Sequence, residues 1–78
     1  MKEANLSGQN LSGFNFCGVN LIRTNFSGAN LTSADFRGAD LTVANLGKGN
    51  FKGANLAGAN LKDANITGAI MPDGTTYE

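Results

Sequence analysis

Large apolar side chains recur at every fifth residue from Leu6 onward: Leu6, Leu11, Phe16, Leu21, Phe26, Leu31, Phe36, Leu41, Leu46, Phe51, Leu56, Leu61, Ile66 and Met71. Two residues before most of them lies a small side chain, usually Ala, though Gln9 and Phe14 take that slot in the first coil, and one before lies Asn or Asp, except that Ile70 precedes Met71. On a helix, positions five apart differ by about 140° around the axis, so this series would spread over the whole circumference. In a straight strand the same positions would alternate between faces. Both conflicts vanish if the chain turns a corner once per repeat. Within Ala-Asn-Leu the first and third side chains then point inward and the Asn outward, and the next two residues make the corner. Eight corners carry Gly second, as Gly8, Gly13, Gly18, Gly28, Gly38, Gly53, Gly58 and Gly68. That position of a tight turn calls for positive φ, which Gly accepts without steric cost.

Corners of about 90° close after four repeats, giving a twenty-residue coil. Grouped at that period, one corner column reads Gly18, Gly38, Gly58, and another reads Arg23, Val43, Asp63 with no Gly. The contrast predicts different turn types at different corners. Gly47-Lys48-Gly49 predicts a loosened or bulged corner. The pattern therefore predicts an all-β, four-sided parallel β-helix of about 3.5 coils, roughly 17 Å long at the usual inter-strand spacing. The preference of parallel crossovers sets its hand as right. Stacking by twenty places Leu21, Leu41 and Leu61 in one column and fills the interior, leaving no ligand cavity. Inter-coil hydrogen bonds and ladders of Asn are expected to support the apolar core.

Ala29-Asn30-Leu31, Ala39-Asp40-Leu41, Ala54-Asn55-Leu56 and Ala59-Asn60-Leu61 match the A-(D/N)-L-x-x consensus of pentapeptide-repeat proteins outright. The resemblance spans residues 4–71 and implies the right-handed quadrilateral β-helix of that family, of cyanobacterial type. Residues 1–3 form a lead-in, 4–71 the repeat coil and 72–78 a C-terminal turn and cap. The cap is signalled by Pro72-Asp73-Gly74 and by Tyr77, which could fold over the last coil. At the other end Phe14 fills a small-residue slot. It is expected either to plug the open end or to mark a chain cut from a longer one, and the cut is the preferred reading.

Charge and chemistry narrow the function further. Six Lys/Arg balance six Asp/Glu, so neither a basic stripe for nucleic acid nor an acidic field exists. No apolar run reaches membrane-spanning length. There is no His and a single Cys, Cys17, so a catalytic imidazole is absent and neither a cofactor nor a metal cluster is expected. Cys17 reads as an outward corner residue. The sequons at Asn5, Asn25, Asn30 and Asn65 follow automatically from the repeat, and Asp35 and Asp40 read as substitutes for Asn rather than as paired acids.

These readings predict a non-catalytic structural or protein-interaction module, with no cofactor and an unidentified protein partner. The resemblance implies a setting as the C-terminal domain of a larger protein such as a cyanobacterial serine/threonine kinase. Gyrase-binding DNA mimics of the family are longer and acidic, unlike this neutral chain. The Gly-free corner column, Ile22, Arg23, Thr42, Val43, Lys62 and Asp63, is the candidate partner strip, carrying two exposed apolar residues among its charges. Open coil ends also invite end-to-end self-association, above all through the N-terminal coil. The default compartment is the cytoplasm.

Overall fold

The structure, a computed structural model, describes residues 2–76; the expected packing of Tyr77 lies outside them. Parallel bridges join each wall to the wall twenty residues on, from Asn5 with Asn25 and Asn10 with Asn30 through Asn45 with Asn65 and Asn50 with Ile70. The chain thus winds with a twenty-residue period and four corners per coil. Each wall is too short for more than one bridging residue, so the pairing is a succession of single bridges rather than extended strands.

One interior repeat shows why this pentapeptide folds this way. The N–H of Asn30 donates to Gln9 O of the preceding coil (2.9 Å), and that of Leu31 donates to Asn50 O of the next (2.8 Å). The corner N–H of Ser33 donates to Lys52 O (3.0 Å), and Ala34 closes the turn onto Leu31 O (3.1 Å). That leaves Thr32, whose N–H donates to the side-chain Oδ1 of Asn30 (3.1 Å). All five backbone donors are satisfied, that of Thr32 only because residue 30 carries a side-chain acceptor two positions upstream. The same bond recurs from Ser7 to Asn5, Cys17 to Asn15, Arg37 to Asp35, Ala57 to Asn55 and Thr67 to Asn65. The invariance of Asn/Asp along the chain follows from this donor.

The one exception explains itself. Ile70 offers no acceptor, and the residue two positions on is Pro72, which has no N–H to satisfy. Expected ladders of Asn along the walls are a correction: among the described residues only Asn65 donates to the Asn one coil below, Asn45, and at 3.4 Å the contact is long. The Asn side chains are instead turned along their own repeats.

Two further expectations are corrected at the corners. Turn geometry does not vary by column: Arg23, Val43 and Asp63 have φ of 59°, 61° and 57°, close to 67° at Gly18 and 68° at Gly38. With the i to i+3 hydrogen bond this is the signature of a type II turn throughout. Nor is Gly47-Lys48-Gly49 a bulge. Lys48 donates to Thr67 O and Gly49 to Leu46 O, both at 3.0 Å, in the ordinary pattern. Gly49 stands in the Ala slot for lack of room, since a Cβ there would lie 2.9 Å from Phe51 Cε1 and 3.1 Å from Leu46 O.

Leu21, Leu31, Leu41, Phe26 and Phe36 are completely buried, with Ala29, Ala34, Ala39 and Ala44 filling the slots between them. Phe16 and Phe36, one above the other, stack at 5.0 Å, while Phe26 meets Phe36 edge-on at 5.9 Å. Such pairs add to plain area burial. Burial fades at both ends: Leu6 and Val19, and Leu56, Leu61, Ile66 and Met71, are only partly covered. Phe14 leans over the first coil, its ring 6.1 Å from that of Phe16, and stays 52% exposed. After Met71 the chain turns at Gly74 and Thr76 returns to bridge Ile70 antiparallel, covering the outer edge of that wall.

Candidate interaction surface

Because the period is twenty, one corner of the coil stacks Ile22-Arg23, Thr42-Val43 and Lys62-Asp63 in register. Backbone bonds run straight up the strip: Arg23 N–H donates to Thr42 O (3.0 Å) and Val43 N–H to Lys62 O (2.9 Å). The column begins one level earlier than the sequence reading had it. Glu3 N–H donates to Ile22 O, and the Glu3 carboxylate lies 3.6 Å from the Arg23 guanidinium. Lys2 and Glu3 therefore belong to the strip. The signal for them is the twenty-residue period, which stacks Lys2 and Glu3 under Ile22 and Arg23.

The strip differs from its expected form in one respect. Val43 is exposed, at 44%, but Ile22 is half-buried, so one apolar side chain rather than two is fully presented. Its distinguishing feature is conformational. Glu3, Arg23, Val43 and Asp63 all hold positive φ without being Gly. The left-handed conformation costs an L-residue about 1–2 kcal/mol, and for a β-branched residue such as Val43 it is a genuine outlier. Gly would serve each turn at lower cost, as it does at Gly18, Gly38 and Gly58. Strain retained along a whole surface column points to what the side chains do there.

A second cluster lies on the next corner round. Arg37 donates through Nε and Nη2 to the Asp35 carboxylate at 2.8–3.1 Å. Cys17 lies half-buried one coil below Arg37. The Arg37 hydrogen bonds, with a smaller contribution from the nearby Cys17 thiol, hold the Asp35 carboxyl well below the usual carboxylate range. Asp35 and Asp40 are not a paired acid: Asp40 is occupied by the hydroxyl and N–H of Thr42, which lower its pKa too. Among the described residues no group of three metal-ligating side chains converges, and no helix is long and apolar enough to cross a membrane.

Comparison with known proteins places this architecture. A comparison with curated proteins found no significant match. Among solved structures, HetL, a pentapeptide repeat protein involved in heterocyst differentiation regulation in the cyanobacterium Nostoc sp. PCC 7120, is 43% identical with a TM-score of 0.95. The match covers 97% of this chain but 35% of HetL. A pentapeptide repeat protein from the Arabidopsis thaliana thylakoid lumen is 37% identical (TM-score 0.72), over 85% of this chain and 49% of its own. Rfr23 from the cyanobacterium Cyanothece 51142 is 32% identical (TM-score 0.56), over 96% and 58%. This chain thus spans between a third and three-fifths of the length of each of these relatives. The pentapeptide-repeat family model, in eight copies, matches residues 1–38 and 34–71. With a twenty-residue coil, an Asn or Asp acceptor in all but one repeat and a match along nearly its whole length, the chain belongs to the pentapeptide-repeat family.

Proposed function

We propose that this chain is a non-catalytic interaction module, a right-handed quadrilateral β-helix that presents the corner strip Lys2-Glu3, Ile22-Arg23, Thr42-Val43 and Lys62-Asp63 to a protein partner. The observation that carries the reading is the unbroken run of non-Gly residues held at positive φ on this column, Glu3, Arg23, Val43 and Asp63, where the other columns hold Gly apart from the single residues Ser33 and Lys48. Stabilising the coil would favour Gly at each, so the side chains are retained for what they contact. The twenty-residue period and the likeness to HetL support the architecture. That HetL takes part in regulation supports binding rather than chemistry as the module's work. Placement as the C-terminal repeat domain of a larger protein, such as a serine/threonine kinase, is part of the same proposal, and the complete open reading frame tests it.

The strip is tested with Ile22→Glu plus Val43→Glu. Lysate proteins retained by the immobilised wild-type chain are identified, and the double variant is compared at equal loading. Loss of a specific partner with an unchanged circular-dichroism spectrum is the expected result. Retention of every partner by the variant would dismiss the strip.

A further inference from the structure

The strip carries its charges and its apolar residue in an order that complements itself when reversed. At successive levels of the coil, about 4.8 Å apart, the second corner position holds Arg23, Val43 and Asp63. They stand in register through the bonds from Arg23 N–H to Thr42 O and from Val43 N–H to Lys62 O. A cation thus lies one level to one side of an exposed valine, and an anion one level to the other. Both charges are available. Arg23 meets Glu3 only loosely, at 3.6 Å with the two side chains 59% and 60% exposed, and an exposed pair of that kind contributes little. Among the described residues no ion pair engages the Asp63 carboxylate. Half-buried Ile22 adds an apolar edge beside Arg23.

We propose, on the footing that the strip is the interaction surface, that its occupant is a second copy of this chain, seated antiparallel across a two-fold axis at Val43. Val43 then packs on Val43 of the second copy, Arg23 faces Asp63 of the second copy and Asp63 its Arg23, while the stem of Lys62 lies along Ile22. Charge order fixes this register. A slip of one level sets Glu3 against Asp63, like against like, or Val43 against Asp63, an apolar group against a carboxylate. Such juxtapositions suppress the wrong pairing. With the coils parallel, the two positions of each corner trade places. Asp63 then meets Lys62, but Val43 meets Thr42, and Arg23 meets Ile22 with no carboxylate before it. The antiparallel contact is isologous and closes at two copies. Three levels make a contact smaller than the roughly 1,200 Å² of a standard interface, so the dimer is a weak one. It uses a flank of the coil and needs no free coil end.

Sedimentation of the wild-type chain up to millimolar concentration is the first test. The weight-average mass should rise from 8.0 kDa toward twice that value and stop there. Arg23→Asp alone and Asp63→Arg alone should stay monomeric, because each sets like charges against its own twin. Their equimolar mixture should regain the twofold mass, as should the double variant Arg23→Asp plus Asp63→Arg. Each substitution gives one corner a residue type the same column already holds at positive φ, so the turn is kept, and circular dichroism checks it. The methyl resonances of Val43 should shift with wild-type concentration while those of buried Leu31 hold still, a readout that needs no variant. A mass fixed at 8.0 kDa, dimerisation of Arg23→Asp by itself, a mixture that stays monomeric, or growth beyond two copies would overturn the proposal. A monomeric wild type whose lysate partner is lost on Ile22→Glu plus Val43→Glu would overturn the second copy and leave the strip standing. A dimer that survives that double variant would overturn it too, by placing the interface off the strip.

Discussion

Gly49 is the position where sequence logic and packing predict opposite results. The repeat consensus places Ala two residues before the inward apolar residue, and consensus substitutions commonly stabilise. Gly49→Ala should also restrict the unfolded chain, worth about 0.4–1 kcal/mol. In the structure a Cβ on Gly49 would stand 2.9 Å from Phe51 Cε1, 3.1 Å from Leu46 O and 3.5 Å from Phe26 O. Phe51 is 1% exposed and its ring has nowhere to retreat. Leu46 O is held by the turn bond from Gly49 itself. Overpacking against such neighbours costs about 1–3 kcal/mol. The net expectation is a loss of about 1–2 kcal/mol, or a Tm lowered by roughly 5–15 °C for a chain of this size. Urea denaturation followed by circular dichroism measures it. Phe51→Leu removes the atom in conflict, so Gly49→Ala should cost about 1 kcal/mol less in the Phe51→Leu background. An increase in stability on Gly49→Ala, or no coupling to Phe51→Leu, would refute the steric account.

Pro72→Ala creates an N–H with no acceptor two residues upstream. Adding Ile70→Asn should restore it, with a coupling of about 1 kcal/mol in a double-mutant cycle. Phe36→Ala, at the crossing of the Phe16 and Phe26 contacts, should cost about 3–5 kcal/mol in the same assay. Because the Asp35 carboxyl titrates lower in the folded chain than in the unfolded one, its contribution is present above its unfolded pKa, about 3.9. It is lost as pH falls through the folded value. The stability gap between wild type and Asp35→Asn should therefore narrow between about pH 5 and pH 2. Denaturation midpoints measured across that range check it, and a gap independent of pH would count against the Arg37 pairing.

The five-residue recurrence of Leu and Phe settled most of the architecture unaided, because neither helix nor flat strand can bury such a series. It fixed which side chains point inward, and the Gly-free column at Arg23, Val43 and Asp63 was visible as a break in corner composition. Three matters waited on the folded chain. The reason for Asn lies in a backbone N–H two residues downstream, a bond that exists only once the turn has formed. The strip's extension to Lys2 and Glu3, and the positive φ of its members, depend on which residues stack twenty apart and on the turn every corner adopts. Finally, whether a small slot accepts Ala or demands Gly depends on where the Phe51 ring lies. Composition records residue size, but only packing records the space left over.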